Sequence, residues 1–275
     1  MPEGPEIRLA ADRVGNAIGG RELARVFFAF DRLKPWENRL TGCRVARVDT
    51  RGKAMIIRIG DAAIYSHNQL YGRWYVSPKG RRPPATGRQL RLALETDSGA
   101  AWLYSASAIE VLSPDEEAVF PPLARLGPDP LHEAVNAAHL RSRLRHQAFR
   151  GRSLAALYLD QKFLAGIGNY LRSEILWQAR VHPGARPRSL PAARVAALAR
   201  ASLELPRRSY STRGVTRDAR SASKLKAGGL PRGRWRFYVF GQAERPCPRC
   251  GTDVVRETWT GRRLYLCPAC QPDNR

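Results

Sequence analysis

Two cysteine pairs near the C-terminus constrain this chain more than any other feature: Cys247-Pro-Arg-Cys250 and Cys267-Pro-Ala-Cys270, with residues 251–266 between them. The C-x-x-C spacing presents two thiolates from one tight knuckle, and two knuckles can close a tetrahedral site around one ion. With all four positions filled by protein, the predicted metal is one structural zinc and not a catalytic one. The intervening segment reads as a β-hairpin, with Val254-Val255 and Leu264–Leu266 flanking a Thr260-Gly261 turn. Arg262 sits just past that turn, where it can reach a backbone phosphate. The fifth cysteine, Cys43, reads as a buried strand residue with no chemical role. An odd count with four members clustered is a metal pattern rather than a disulfide framework, and fits a compartment where thiols stay reduced.

The charge balance narrows the partner. Lys and Arg number 47 against 24 Asp and Glu, a formal net charge of +23 on 275 residues. Hydrophobic residues make up 43%, enough for a buried core, so a disordered chain and an acidic solvating tail are excluded. A folded protein this basic points to a polyanion, nucleic acid first and an anionic membrane second, and away from simple small-molecule chemistry. No stretch approaches the ~20 apolar residues of a membrane span. The start, MPEGPEIR, carries two glutamates and no apolar segment, so no signal peptide is expected and the predicted location is cytoplasmic.

Apolar periodicity divides the chain. Ile7, Ala10, Ala11, Val14 and Ile18 recur at helical spacing, predicting a helix over 5–18 that ends at Gly19-Gly20. From 23 to about 112 short β-like runs alternate with turn residues, for example Val26–Phe30, Arg44–Val48, Met55–Ile59, Leu90–Leu94 and Ala101–Tyr104. That texture predicts an antiparallel sandwich or barrel. Residues 113–130 hold prolines at 114, 121, 122, 128 and 130 and read as a connection between domains. From 131 to 206 the pattern is helical, with Ser153 and Ser189 as helix caps and a further helix over Asn169–Arg180 after the Gly166-Ile167-Gly168 turn. Residues 207–236 carry ten cations against one acid, Asp218. Such a run is either a solvated loop or a segment that orders on a phosphate backbone.

The sharpest chemistry lies at the N-terminus. A small residue at position 2 favours removal of Met1, which would leave Pro2 as a secondary amine. An α-amino group has a pKa near ~8, so part of it is neutral and nucleophilic at neutral pH. Such an amine can attack a sugar C1′ or an aldehyde and form a cationic iminium. Glu3 and Glu6 stand close enough in sequence for one of them to move protons there. The same residues also suit a helix start, and MPEGPEI by itself supports either reading.

Taken together, MPEGPEI, TRGKA at 50–54, YSHNQLYG at 65–72, LGPDPL at 126–131, FLAGIGNYLRSEILW at 163–177 and the paired C-x-x-C knuckles resemble the formamidopyrimidine-DNA glycosylase/endonuclease VIII family across the whole chain. MPEG and the contiguous Gln69-Leu70-Tyr71 are most like its bacterial endonuclease VIII branch. The resemblance implies an α+β fold: an N-terminal helix plus antiparallel β-sandwich (1–125), a helix–two-turn–helix DNA-binding domain (126–230) and a C-terminal β-hairpin zinc finger (231–275). It implies a bifunctional glycosylase and abasic-site lyase of base excision repair that flips oxidised pyrimidines out of damaged double-stranded DNA. Pro2 would attack C1′, Glu3 would serve as general acid and base, and Lys53 would contact phosphate and assist the chemistry. Gln69, Leu70 and Tyr71 would fill the gap left by the flipped base. Asn169 and Arg262 would hold the backbone, with Glu6 and Glu174 as acidic support of the site. Successive β- and δ-elimination would cut both sides of the sugar. No organic cofactor is implied, and the protein would act as a bacterial, nucleoid-associated monomer.

Segment 207–236 is longer and more basic than the family pattern implies, which leaves lesion preference open. The same chemistry on oxidised purines is one alternative, and a catalytically silent protein that binds damaged DNA is another. Charge and zinc alone would also suit a ribosome-associated RNA-binding protein, but that leaves Pro2-Glu3 and Gln69-Leu70-Tyr71 unexplained.

Overall fold

A computed structural model describes residues 2–81 and 85–273. The chain forms two compact units, Met1–Arg125 and Leu126–Arg275. The first opens with helix α1 (Gly4–Ile18), which buries Ile7, Ala10, Ala11, Val14 and Ile18 along one face, as the spacing predicts. Strand β1 (Leu23–Phe28), helix α2 (Pro35–Leu40) and strands β2 (Val45–Arg51), β3 (Ala54–Ile59), β4 (Ala62–His67), β5 (Arg73–Pro78), β6 (Leu90–Thr96), β7 (Gly99–Tyr104) and β8 (Ala108–Leu112) follow. They pair into two four-stranded antiparallel sheets, ordered β1-β6-β7-β5 and β2-β3-β4-β8. Apolar side chains from both sheets and from α1 share one core, which settles the open choice in favour of a sandwich.

Strands β4 and β7 are buried along nearly their whole length, so they lack the polar alternation that marks a half-exposed strand. Cys43 departs from expectation. It lies in the turn between α2 and β2, half-buried, with its Sγ donating to the Arg39 carbonyl at 3.3 Å. The proline-rich stretch holds two short helices, α3 (Pro114–Val119) and α4 (Pro121–Ala124), each with proline in its first turn, where no N–H is needed. Ser113 and Glu116 form a reciprocal capping box on α3.

In the second unit, α5 (Ala137–Arg145), α6 (Leu154–Leu157), α7 (Asn169–Gln178) and α8 (Ala192–Ser211) bury a common apolar core. Ser153 caps α6, its Oγ accepting the Ala156 N–H. Ser189 instead closes a 3-10 turn, and α8 begins after Pro191. Helix α8 also runs through the buried Pro206. Its packed face keeps it helical past the residue where sequence alone would end it.

The basic stretch is folded rather than loop-like. Asp218 caps α9 (Ala219–Ala227) by accepting the Ser221 N–H, and α10 (Arg232–Trp235) follows. Several of its arginines satisfy the unit's own carbonyls: Arg207 those of Pro130 and Val135, Arg208 that of Thr216, Arg217 that of Phe237. Strands β9 (Val255–Trp259) and β10 (Arg262–Leu266) close the chain as an antiparallel hairpin. Thr260 and Gly261 both have positive φ at its turn, the two-residue geometry that matches strand twist. Leu264 and Leu266 join the helical core, so the hairpin and the helices are buried together.

Candidate active site and metal centre

The first unit gathers several of the N-terminal residues around one open cleft of about 450 Å³. Pro2 and Glu6 line one wall, and Leu70, Tyr71 and Arg88 another. Helix α1 sets the geometry of the first wall. Glu3 occupies its N-cap position, and the Glu3 backbone N–H donates to Glu6 Oε2 at 3.0 Å. The Glu3 residue is buried at 3% exposure, directly beside Pro2, so a carboxyl group with little water around it follows Pro2 in the chain.

The second wall is the tight turn between β4 and β5. Gln69 adopts φ 49°, uncommon for a non-glycine residue, and its N–H donates to Nδ1 of His67 at 3.0 Å. The Ser107 hydroxyl donates to the Gln69 side-chain oxygen at 2.6 Å. Gly72 closes the turn by donating its N–H to the Asn68 carbonyl, and a Cβ there would lie 2.5 Å from that oxygen. Only glycine fits that approach. The turn is therefore rigidly built, yet Leu70 and Tyr71 at its tip stay 59% and 69% exposed. Arg88 further fixes it by donating to the Tyr71 carbonyl at 2.5 Å.

Lys53 sits in the Gly52-Lys53 turn between β2 and β3, half-buried. Its neighbour on the adjacent strand is His67, the partner of Ala54 in the β3–β4 ladder. Burial pushes the His67 pKa down, and the Lys53 charge pushes it further in the same direction. A neutral imidazole is the form whose Nδ1 can accept from Gln69. His67, Asn68 and Arg88 were not singled out by sequence spacing. The first two lie inside the YSHNQLYG motif, but nothing local marks Arg88, which reaches the turn from a distant part of the chain.

In the second unit Asn169 opens α7 and Arg262 opens β10. A residue that sequence spacing did not mark, Arg172, joins the two regions. Fully buried, it donates to Asn169 Oδ1 at 2.8 Å, to the Arg263 carbonyl at 3.1 Å and to the Ala155 carbonyl at 2.9 Å. It thus holds the start of α7 against the hairpin turn, with Arg262 exposed beside it. Glu174 lies fully buried and committed to the fold. Its carboxylate accepts from the N–H groups of Tyr238, Val239 and Phe240 and from the Thr216 hydroxyl.

The four cysteines of the paired knuckles converge. All four Sγ atoms lie within 4.8 Å of one another. Separations of 3.4, 3.5 and 3.9 Å along three of the edges bracket the ~3.8 Å edge of a tetrahedron with metal–sulfur bonds of about 2.3 Å. The donor set and its size are those of a closed zinc site. Hydrogen bonds from Thr252 hold the Cys250 thiol down at about 6, whereas burial pushes Cys270 up to about 12. Loading an ion therefore has to displace protons from the more buried thiols.

Known proteins match this arrangement over its whole length. The formamidopyrimidine-DNA glycosylase N-terminal domain matches residues 1–106, and the formamidopyrimidine-DNA glycosylase H2TH domain matches 126–219. Endonuclease 8 of Escherichia coli K12 is 45% identical over 272 residues, covering 98% of this chain and 100% of its own; that of Shigella sonnei is 44% identical over the same span. Among solved structures, the Lactococcus lactis Fpg with abasic-site DNA superposes with a TM-score of 0.80 at 23% identity, covering 98% of this chain and 100% of its own. The same protein with DNA containing an oxidised pyrimidine gives 0.81 at 22% identity, covering 99% and 100%. Those structures carry the fold, and the full-length identity carries the kinship: the chain belongs to the formamidopyrimidine-DNA glycosylase/endonuclease VIII family.

Proposed function

We propose that this protein is a bifunctional DNA glycosylase and abasic-site lyase of base excision repair, that it removes oxidised pyrimidines from duplex DNA, and that Pro2 is its nucleophile. The observation that supports this most is the shared cleft, with Pro2 and Glu6 on one wall and the projecting Leu70 and Tyr71 on the other. A secondary amine and two apolar wedges facing one space are what a base-flipping enzyme with covalent chemistry requires. The pyrimidine preference rests on MPEG and Gln69-Leu70-Tyr71, which are most like the endonuclease VIII branch, and full-length identity to endonuclease 8 points to that same branch.

In this reading Met1 is removed and the neutral Pro2 nitrogen attacks C1′ of the extruded nucleotide. The new N–C1′ bond replaces the glycosidic bond, the base leaves with a proton, and the sugar ring opens as its O4′ is protonated. Glu3, buried next to Pro2, supplies and withdraws those protons. Loss of a C2′ proton expels the 3′ phosphate, and loss of a C4′ proton then expels the 5′ phosphate. Water hydrolyses the remaining iminium and frees Pro2. Lys53 contributes positive charge toward the phosphates from its turn. Asn169 and Arg262 grip the backbone from the second unit, and the four cysteines hold one zinc, which stabilises the hairpin that carries Arg262.

Borohydride reduction during turnover tests this directly. A Pro2-linked adduct should form with duplexes carrying dihydrouracil or thymine glycol, and more weakly with 8-oxoguanine. A Pro2 adduct confined to 8-oxoguanine would keep the mechanism and overturn the substrate class. Absence of any adduct, with the Pro2 amine shown free by intact mass, would overturn the enzyme reading.

A further inference from the structure

Trp177, in the last turn of α7, is 3% exposed and belongs to none of the roles above. Its indole Nε1–H donates to Cys247 Sγ at 3.3 Å. Its ring lies on that of Tyr238, with centroids 4.5 Å apart and planes 24° from parallel. On Trp177 stands the guanidinium of Arg249, 4.1 Å from the ring centre, and Arg249 comes from inside the Cys247–Cys250 knuckle and also donates to the Trp177 carbonyl. On Tyr238 stands Arg217 at 4.9 Å. The stacked pair thus has a guanidinium against each of its two rings. At its far end the Tyr238 hydroxyl donates to Asp218 Oδ2 at 3.0 Å, and Asp218 caps α9.

Four thiolates around a divalent ion carry a net charge of −2, which must be offset by nearby donors when the sulfurs are buried. Cys247 is 3% exposed, so water has little access to its sulfur. The Trp177 N–H takes that place, and Arg249 adds positive charge against the indole ring. Phenylalanine would supply ring area for packing without a polar atom; the indole adds one donor that needs a partner when buried, and here that partner is a sulfur of the four-cysteine set.

We propose that Trp177 is a positioning residue of the four-thiolate site, donating to the Cys247 sulfur and linking the loaded site through Tyr238 to the Asp218-capped basic helix α9. The proposal rests on the reading that the four cysteines hold a metal. Loading fixes the Cys247 sulfur, the sulfur fixes the indole, and the stacked Tyr238 carries that order to the cap. Loss of the ion would then loosen α9 as well as the hairpin.

Cobalt(II) is the probe, bound to the full chain in place of zinc. A hydrogen bond lowers the energy of sulfur lone pairs, so Trp177→Phe, which keeps the ring and removes the N–H, should move the thiolate-to-cobalt absorption to longer wavelength. Chelator-driven release of cobalt should be about tenfold faster, the lower end of the effect of losing an outer-shell partner. Arg249→Met should speed release in the same direction by a smaller factor, and serves if the tryptophan variant does not fold. Amide hydrogen exchange should show α9 losing protection when the ion is removed from the unsubstituted protein. An unmoved absorption band with unchanged release in Trp177→Phe would overturn the donor role, and α9 protection indifferent to the ion would overturn the coupling. Absence of a tetrahedral thiolate–cobalt spectrum in the unsubstituted protein would instead overturn the metal reading beneath both.

Discussion

The backbone N–H of Gln69 donates to the imidazole Nδ1 of His67, two residues earlier, and this bond organises the turn that projects Leu70 and Tyr71. It requires a neutral ring. Burial lowers the His67 pKa below 6.5 and the Lys53 ammonium lowers it further. A histidine depressed in the folded state contributes stability that is complete above its unfolded pKa of about 6.5 and is lost as pH falls from there through the folded value. The turn should therefore loosen on acidification below that point. Lys53→Met should raise the His67 pKa, visible as a shift of its ring resonances in an NMR titration. A His67 midpoint unchanged by that substitution would show that burial alone sets it.

Leu70 and Tyr71 bury little of themselves within their unit, so truncating them should be nearly silent for stability. Leu70→Ala and Tyr71→Ala should unfold within about 0.5 kcal/mol of the parent, the range of ordinary surface changes. Excision from duplex DNA should nevertheless fall at least tenfold, because nothing then fills the space of the extruded base. Excision from single-stranded DNA, which has no stack to hold open, should fall much less. Equal losses on both substrates would remove the wedge role.

Gly72 makes the opposite prediction. A Cβ at this position would lie 2.5 Å from the Asn68 carbonyl oxygen and 2.6 Å from its Cα, both backbone atoms that cannot swing away. Gly72→Ala should cost about 2–3 kcal/mol, the upper part of the single-mutation range, read as a lowered denaturation midpoint. It should also lower duplex excision, since the turn that presents Leu70 and Tyr71 has to open to admit the methyl group.

Much of this architecture was readable from local pattern. Helix α1 announces itself through the spacing of Ile7, Val14 and Ile18, and the hairpin through Thr260-Gly261 between two cysteine knuckles. Burial obscured other parts. The residues of β4 and β7 are apolar on both faces, so period alone cannot separate them from buried helix. Charge misled in 207–236, where a run of arginines looks solvated although Arg207, Arg208 and Arg217 spend their guanidinium groups on backbone carbonyls 8 to 77 positions away. The roles of Arg172 and Trp177 depend on contacts with residues 70 to 91 positions away, which no local rule can supply. Glu174 was legible as an acid near functional motifs, but its commitment to three backbone N–H groups was not.

That commitment predicts a large cost for a small change. Glu174→Gln would replace one acceptor oxygen by an NH2 group facing backbone N–H donors in a fully buried site. Hydrogen bonds to a charged group contribute about 1.5–3 kcal/mol each, so a loss of roughly 3 kcal/mol or more is expected in equilibrium denaturation. The effect should track stability and the order of 238–240. Loss of catalysis in a fully stable Glu174→Gln protein would instead give this carboxylate a direct part in the chemistry.

The cations of the basic stretch should separate into two classes by experiment. Arg207 spends its guanidinium on the carbonyls of Pro130 and Val135, so Arg207→Gln should lower stability and leave the salt dependence of DNA binding nearly unchanged. Arg220, Lys224 and Lys226 are exposed on α9, and no carboxylate pairs with them among the described residues. Charges of that kind act on DNA by displacing counterions, each phosphate contact contributing about 0.9 to the slope of log affinity against log salt on duplex DNA. Neutralising all three to glutamine should flatten that slope by one to three contacts' worth, weaken binding uniformly across lesion and undamaged duplexes, and leave the denaturation midpoint in place. A slope unchanged by the triple substitution would show that α9 faces away from the nucleic acid, and would confine the DNA contact of this unit to the neighbourhood of Asn169 and Arg262.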